Sequence, residues 1–164
     1  MAMAKKAGRA IWDNGHDHQH CRDNALNKAS SLCAARGARL TVLRRRVLEL
    51  IWASHRPVGA YALLDSLRGD HKNAQPPTVY RALDFLLEQG LVHRIQSLNA
   101  FVGCNDPDHV HRGLFFICTD CGDALEVEDD GIDKAIAKSA GRQGFEIHGR
   151  TIEATGVCPQ CQAA

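Results

Sequence analysis

The residues with the most definite chemistry in this chain are four cysteines in two C-x-x-C pairs, Cys118/Cys121 and Cys158/Cys161. Each pair brings two sulfurs to one turn, close enough to share an ion. Two such turns complete a tetrahedron at about 2.3 Å per Zn–S bond. Four protein ligands leave no open position, so the spacing predicts a structural zinc site rather than a catalytic one. A four-thiolate iron centre is the chemical rival. The stretch between the pairs is long enough to hold other elements, so the metal would staple two ends of an α/β unit.

A second group of ligand types is more scattered. His93, Cys104, His109 and His111 precede the first cysteine pair, and Glu126 follows it. A metal held by such a set would join separate parts of the chain and favour one arrangement of them, which is what a switch requires. Spacing alone equally allows an ordinary strand histidine and a solvent-facing Glu126. A third cluster, His16, His18, His20 and Cys21, lies in a polar segment without amphipathic period. It reads as a solvated arm or a weak auxiliary metal tract.

Composition narrows the classes. The net charge of +1 neither favours nor excludes a nucleic-acid partner, so only a local cluster of charge can argue for one. Apolar residues make up 45% of the chain and aromatic residues only 5%, which implies thin cores helped by metal or by a partner subunit. No apolar run approaches the roughly 20 residues of a membrane span, and no apolar stretch follows Lys5, Lys6 and Arg9 as in a secretory signal. The expectation is a cytoplasmic protein without a membrane partner. In that reducing compartment seven cysteines are metal ligands or free thiols rather than disulfides.

The elements that must position these groups are legible in outline. Residues 1–22 read as a flexible, His-containing tail. Asp23 or Asn24 can cap a first helix ending before Gly37, and Thr41 a second, with Val42, Leu43, Val47, Leu48, Ile51 and Trp52 mostly at helical spacings. Arg44, Arg45 and Arg46 stand together on it. Tyr61 to Leu67 mark a third helix. A fourth opens at Pro76-Pro77-Thr78, carries Val79, Ala82, Leu83, Leu86 and Leu87 inward, and stops at Gly90. Strands at Leu91–Ile95 and Ala100–Val102 follow. Helices followed by a β-hairpin are the element order of a winged helix-turn-helix. The fold class expected is therefore α+β: a winged helix-turn-helix over 23–104, a polar hinge over 105–113, and a small α/β domain over 114–164 carrying the four-cysteine site. Within that last unit the pattern predicts strands at Leu114–Ile117, Ala124–Val127 and Phe145–Glu153 around a helix from Asp129 to Gly141.

The segments PPTVYRALDFLLEQGLVHRI (76–95), FICTDCG (116–122) and IEATGVCPQC (152–161), with Cys104 and His111 between, resemble the zinc-responsive branch of the ferric uptake regulator family of bacterial metal-sensing repressors. The resemblance spans about residues 25–161. It implies a homodimer, joined through its C-terminal domain, that binds operator DNA when metal-loaded and shuts off zinc-uptake genes. It implies two zinc ions per subunit: a structural one on Cys118, Cys121, Cys158 and Cys161, and a regulatory one on His93, Cys104, His111 and Glu126, with His109 a nearby spare. One thiolate with two imidazoles and a carboxylate is a soft set suited to Zn²⁺. The family's T-P-x-R segment departs here, since Val42 stands where the proline would be.

For double-stranded DNA the fourth helix is the natural reader. Thr78, Tyr80, Arg81 and Asp84 lie on or beside its exposed side, and an arginine there can bond guanine bidentately. Arg44, Arg45, Arg46 and Lys72 are candidate phosphate contacts. Asp65 and Arg68 form a local pair or, as in similar regulators, bridge two dimers on one operator. No H-E-x-x-H and no H-x-E with P-C-x-x-C is present, which argues against a zinc hydrolase or deaminase.

Overall fold

The computed structural model describes Trp12, residues 18–108 and residues 113–164. Helix α1 runs His18–Ala35, so it begins ahead of Asp23 and the expected tail of residues 1–22 is too long at its C-terminal end. His16 and His109 to His111 lie outside the described residues. Helix α2 (Val42–Ile51) starts where expected: Thr41 is its N-cap, and its hydroxyl accepts the Arg44 N–H at 3.3 Å. The missing proline is no obstacle, and Val42 takes that position 80% exposed.

A two-residue strand β1 (Val58–Gly59) leads into α3 (Ala60–Asp70), and α4 covers Pro76–Glu88. Gly90, at φ +66°, closes α4 by a left-handed turn. The Leu91 N–H reaches back to the Leu86 carbonyl, and the Gly90 N–H to that of Leu87, both at 2.9 Å. This turn swings the chain directly into β2 (Val92–Ile95), which pairs antiparallel with β3 (Ala100–Gly103). β1 completes the wing sheet in the order β1-β3-β2. One core serves this half. Leu26, Ala29 and Cys33 of α1 meet Val47, Leu48 and Ile51 of α2, the leucines of α3, and Val79, Leu83 and Leu86 of α4. Phe85 joins it in place of Leu87, which is only partly buried.

The second sheet has the order β5-β4-β6, from β4 (Gly113–Cys118), β5 (Ala124–Glu126) and β6 (Thr151–Gly156). Between β5 and β6 stands α5 (Asp130–Arg142), and a short α6 (Pro159–Gln162) follows β6. The strand expected at Phe145–Glu153 starts only at Thr151. Its parallel partner β4 is described from Gly113, opposite Thr151, and residues 109–112, ahead of it in that register, lie outside the described residues. Gly144, at φ +63°, ends α5 and leaves Phe145 68% exposed.

The two halves meet along a continuous apolar seam. Ile95 and Val102 of the wing pack with Phe115, Ile117 and Ala124 of the second sheet. Polar contacts flank the seam: Arg56 pairs with Asp123 at 3.2 Å, and the Ala124 N–H donates to the His55 carbonyl at 3.2 Å.

Candidate metal centres and DNA-reading helix

The first pair of cysteines sits at the end of β4 and in the turn before β5; the second sits at the start and within α6. The parallel β4–β6 ladder runs to Cys118 opposite Gly156, which carries both pairs to the same end of the sheet. The four sulfurs all lie within 4.8 Å of one another. Cys121 and Cys158 are separated by 3.9 Å, close to the edge of about 3.8 Å that a tetrahedron of 2.3 Å Zn–S bonds has. All seven cysteines are free thiols. The Cys121 and Cys158 N–H groups lower the Cys118 thiol to about 6, the latter donating at 3.3 Å, while its Cys158 neighbour and burial push Cys161 up to about 12. Four such thiols resist ionising together, and a bound dication is the natural counter-charge. The donor set, its spacing and its closed geometry fit zinc.

The second group gathers on the seam. β2 supplies His93, the residue following β3 is Cys104, and β5 supplies Glu126; one donor atom of each lies within 4.8 Å of the others. His93 Nε2 is 2.7 Å from Glu126 Oε1, and both side chains are nearly buried, at 16% and 10% exposure. The second carboxylate oxygen accepts the Asn105 N–H at 3.1 Å. The Phe115 ring packs edge-on to His93 at 5.2 Å. Burial, reinforced by the Glu126 charge, pushes the Cys104 thiol well up. A carboxylate beside a buried thiol is a pairing that a cation relieves. This soft N, S, O set therefore also fits zinc. Ligand type alone grouped these three residues with His109 and His111 as one possible site, and the family resemblance picked out the set, because they come from three separate segments and no local spacing marks them.

The exposed side of α4 carries Tyr80, 44% exposed, with Arg81 and Asp84, and Thr78 is partly exposed at the helix start. Thr78 lines a cavity of about 310 Å³ with Leu43, His71, Lys72, Asn73 and Ala74. Arg44 is engaged internally: its guanidinium lies 3.7 Å over the Phe85 ring and donates to the Arg39 carbonyl at 2.7 Å. Arg46 pairs with Asp70 at 2.6 Å and Arg45 with Glu49 at 3.3 Å. Asp65 and Arg68 are a local pair at 3.7 Å on the surface of α3.

The model of the ferric uptake regulator family matches residues 35–155. The zinc uptake regulation protein of Escherichia coli K12 is 43% identical over 137 residues, covering 83% of this chain and 80% of that one. The chain belongs to the ferric uptake regulator family. Among solved structures, a zinc uptake regulator complexed with zinc and DNA superposes with TM-score 0.83 at 41% identity, covering 87% of this chain and 95% of that one. Holo XcZur gives 0.79 at 41% identity, covering 87% and 99%. Apo XcZur gives only 0.51 at 38% identity, covering 88% and 99%. The chain as a whole thus superposes better on the holo than on the apo structure of that relative. Among the described residues no helix is long and apolar enough to cross a membrane.

Proposed function

We propose that this protein is a zinc-responsive, DNA-binding repressor of zinc-uptake genes, active in the cytoplasm as a zinc-loaded homodimer and not as an enzyme. The observation that carries this reading is the convergence of His93, Cys104 and Glu126 on the seam between the winged helix and the second sheet. His111, outside the described residues, is the fourth ligand in this reading. Zinc there would supply the positive charge that lets Cys104 and Glu126 stay ionised side by side, which stabilises the docked arrangement over open ones. The second zinc, on the four cysteines, is the unresponsive one. The functional division follows 23–104, 105–113 and 114–164, with the first unit extended back to His18.

In the docked arrangement each subunit presents α4 to the DNA. Arg81 is the base reader, worth about 1–3 kcal/mol of discrimination at a guanine. Tyr80 and Thr78 contact phosphate or a thymine methyl. Arg44, packed on Phe85, fixes α2 against the reader helix and reaches phosphate at most from that position. The dimer forms through the second unit. α5 buries no residue within one chain although Ile132 and Ile136 share a face, and Phe145 lies exposed just beyond it. The exposed Asp65–Arg68 pair is available to bridge two dimers on one operator.

The test is to select a duplex from a randomised pool with zinc-loaded protein, then titrate its binding against buffered free zinc, iron and manganese. Zinc should act alone at sub-nanomolar free concentration, on the order expected for a thiolate-containing site. Binding that follows iron or manganese, or that ignores metal, contradicts the proposal.

A further inference from the structure

Zinc accounts for one end of the seam. The other end carries a contact that no metal explains. The turn joining β2 to β3 points its Gln96 and Ser97 N–H groups at a single carboxylate, that of Glu153 on β6. Gln96 donates to Oε1 at 2.6 Å and Ser97 to Oε2 at 3.1 Å. Glu153 stands in the strand that pairs with β4, level with Phe115 of the apolar seam. Its residence there is electrostatically favourable: burial opposes the charge, but the Ser97 hydroxyl and the two N–H groups outweigh it and lower the carboxyl below its ordinary range.

We propose that Glu153 is a positioning residue for DNA binding, a metal-independent latch that grips the wing tip by two adjacent backbone N–H groups and holds the winged helix in the docked arrangement. The wing hairpin is then fixed at both ends. At its base His93 and Cys104 meet Glu126; at its tip Gln96 and Ser97 meet Glu153. Two strand residues, Arg94 and Ile95, separate His93 from the tip on β2, and four, Ala100–Gly103, separate Cys104 from it on β3, so the paired hairpin is a short lever between the two. Holding the tip raises the fraction of molecules in which the base ligands already converge. Apparent zinc affinity and apparent DNA affinity both scale with that fraction. A further consequence is that the wing tip faces the second unit, so DNA contact falls to the helices. The latch rests on the repressor reading for its effect on DNA, but the docking itself is measurable without DNA.

Two variants attack the contact from opposite sides. Glu153→Gln keeps the size and replaces one acceptor oxygen by an NH₂ that confronts an N–H. Ser97→Pro removes the Ser97 N–H together with its hydroxyl and leaves the Gln96 N–H; the Asn99 N–H bonds to the Gln96 carbonyl at 3.2 Å, which makes Ser97 the second residue of a β-turn, where proline is favoured. Amide exchange of the zinc-loaded dimer should show the Gln96 and Ser97 amides protected in the unaltered protein, both exchanging about tenfold faster in Glu153→Gln, and the Gln96 amide about tenfold faster in Ser97→Pro, which has no amide at 97. Dimer mass and the zinc held by the four cysteines should not change. Zinc-dependent binding to the selected duplex should weaken about tenfold, and the double variant should be no worse than either single one, because both remove the same contact. If these amides exchange freely in the unaltered protein, or the Gln96 amide exchanges equally fast in it and both variants, there is no latch, whatever the protein does with DNA. If exchange changes as expected while duplex binding stays the same, Glu153 docks the wing without positioning it for DNA, and the proposal is equally overturned. Failure of the unaltered protein to bind any duplex with zinc contradicts the repressor reading, and exchange still decides the latch.

Discussion

The four-cysteine cluster and the seam cluster both fit zinc, one with four sulfurs and the other with nitrogen, sulfur and oxygen, but they sit in different mechanical settings. Cys118, Cys121, Cys158 and Cys161 all belong to one sheet and its adjoining turn and helix. A metal there joins parts that the β4–β6 ladder already holds together. His93 and Cys104 belong to the wing, and Glu126 to the second sheet, so a metal there joins halves that otherwise meet through an apolar seam and a few polar contacts. On the proposed reading, the same ion would strengthen a unit in the first setting and select between arrangements in the second. Location relative to the seam, more than ligand type, separates platform from switch.

The largest effect that would break this comparison is at the platform. Cys118→Ser removes a ligand from a closed site whose metal, by analogy with zinc-finger peptides, contributes about 10–16 kcal/mol of apparent folding energy. We expect the second unit to lose its fold and the dimer to dissociate, read by sedimentation and metal analysis. A stable dimer retaining one zinc fewer would instead make the platform dispensable. Next in size is Phe115→Ala. Phe115 is 1% exposed, central to the seam and packed on His93. The cavity should cost about 3–5 kcal/mol in denaturant unfolding, and zinc affinity should fall at the seam but not at the cysteines. The smallest change sharpens the other side. Asp129 caps α5, accepting from Gly131 N–H at 2.7 Å and Ile132 N–H at 3.1 Å. Asp129→Ala should cost about 1 kcal/mol of stability and leave the free-zinc dependence of DNA binding unchanged.

The sequence was most legible where structure is local. The cap at Thr41, the Pro76-Pro77 start of α4, the Gly90 stop and both cysteine pairs each announce themselves within a few residues. It was least legible where a partner decides. α1 begins at His18 among polar residues with no amphipathic stripe to make Asp17, just before it, stand out as a helix start. Phe145 to Arg150 alternate like a strand, but Gly144, at φ +63°, turns the chain at the end of α5 and the ladder among the described residues begins only at Thr151. Phe85 lies on the less expected side of α4 and is buried because Arg44 of α2 covers it. The mixed site needed the family resemblance, since its ligands converge only when two sheets dock. The Glu153 latch was invisible, because its partners are backbone N–H groups and leave no side-chain signature.

The central claim is that the seam site switches and the cysteine site does not. Cys104→Ser tests it most directly, by duplex binding across buffered free zinc alongside dimer mass and zinc content. The account predicts an intact dimer that keeps the cysteine-bound zinc, loses the second, and binds DNA at least about a hundredfold more weakly at zinc levels that saturate the unaltered protein, since losing even a group that only supports a ligand costs about 10–100-fold. Full zinc-dependent binding by Cys104→Ser would contradict it.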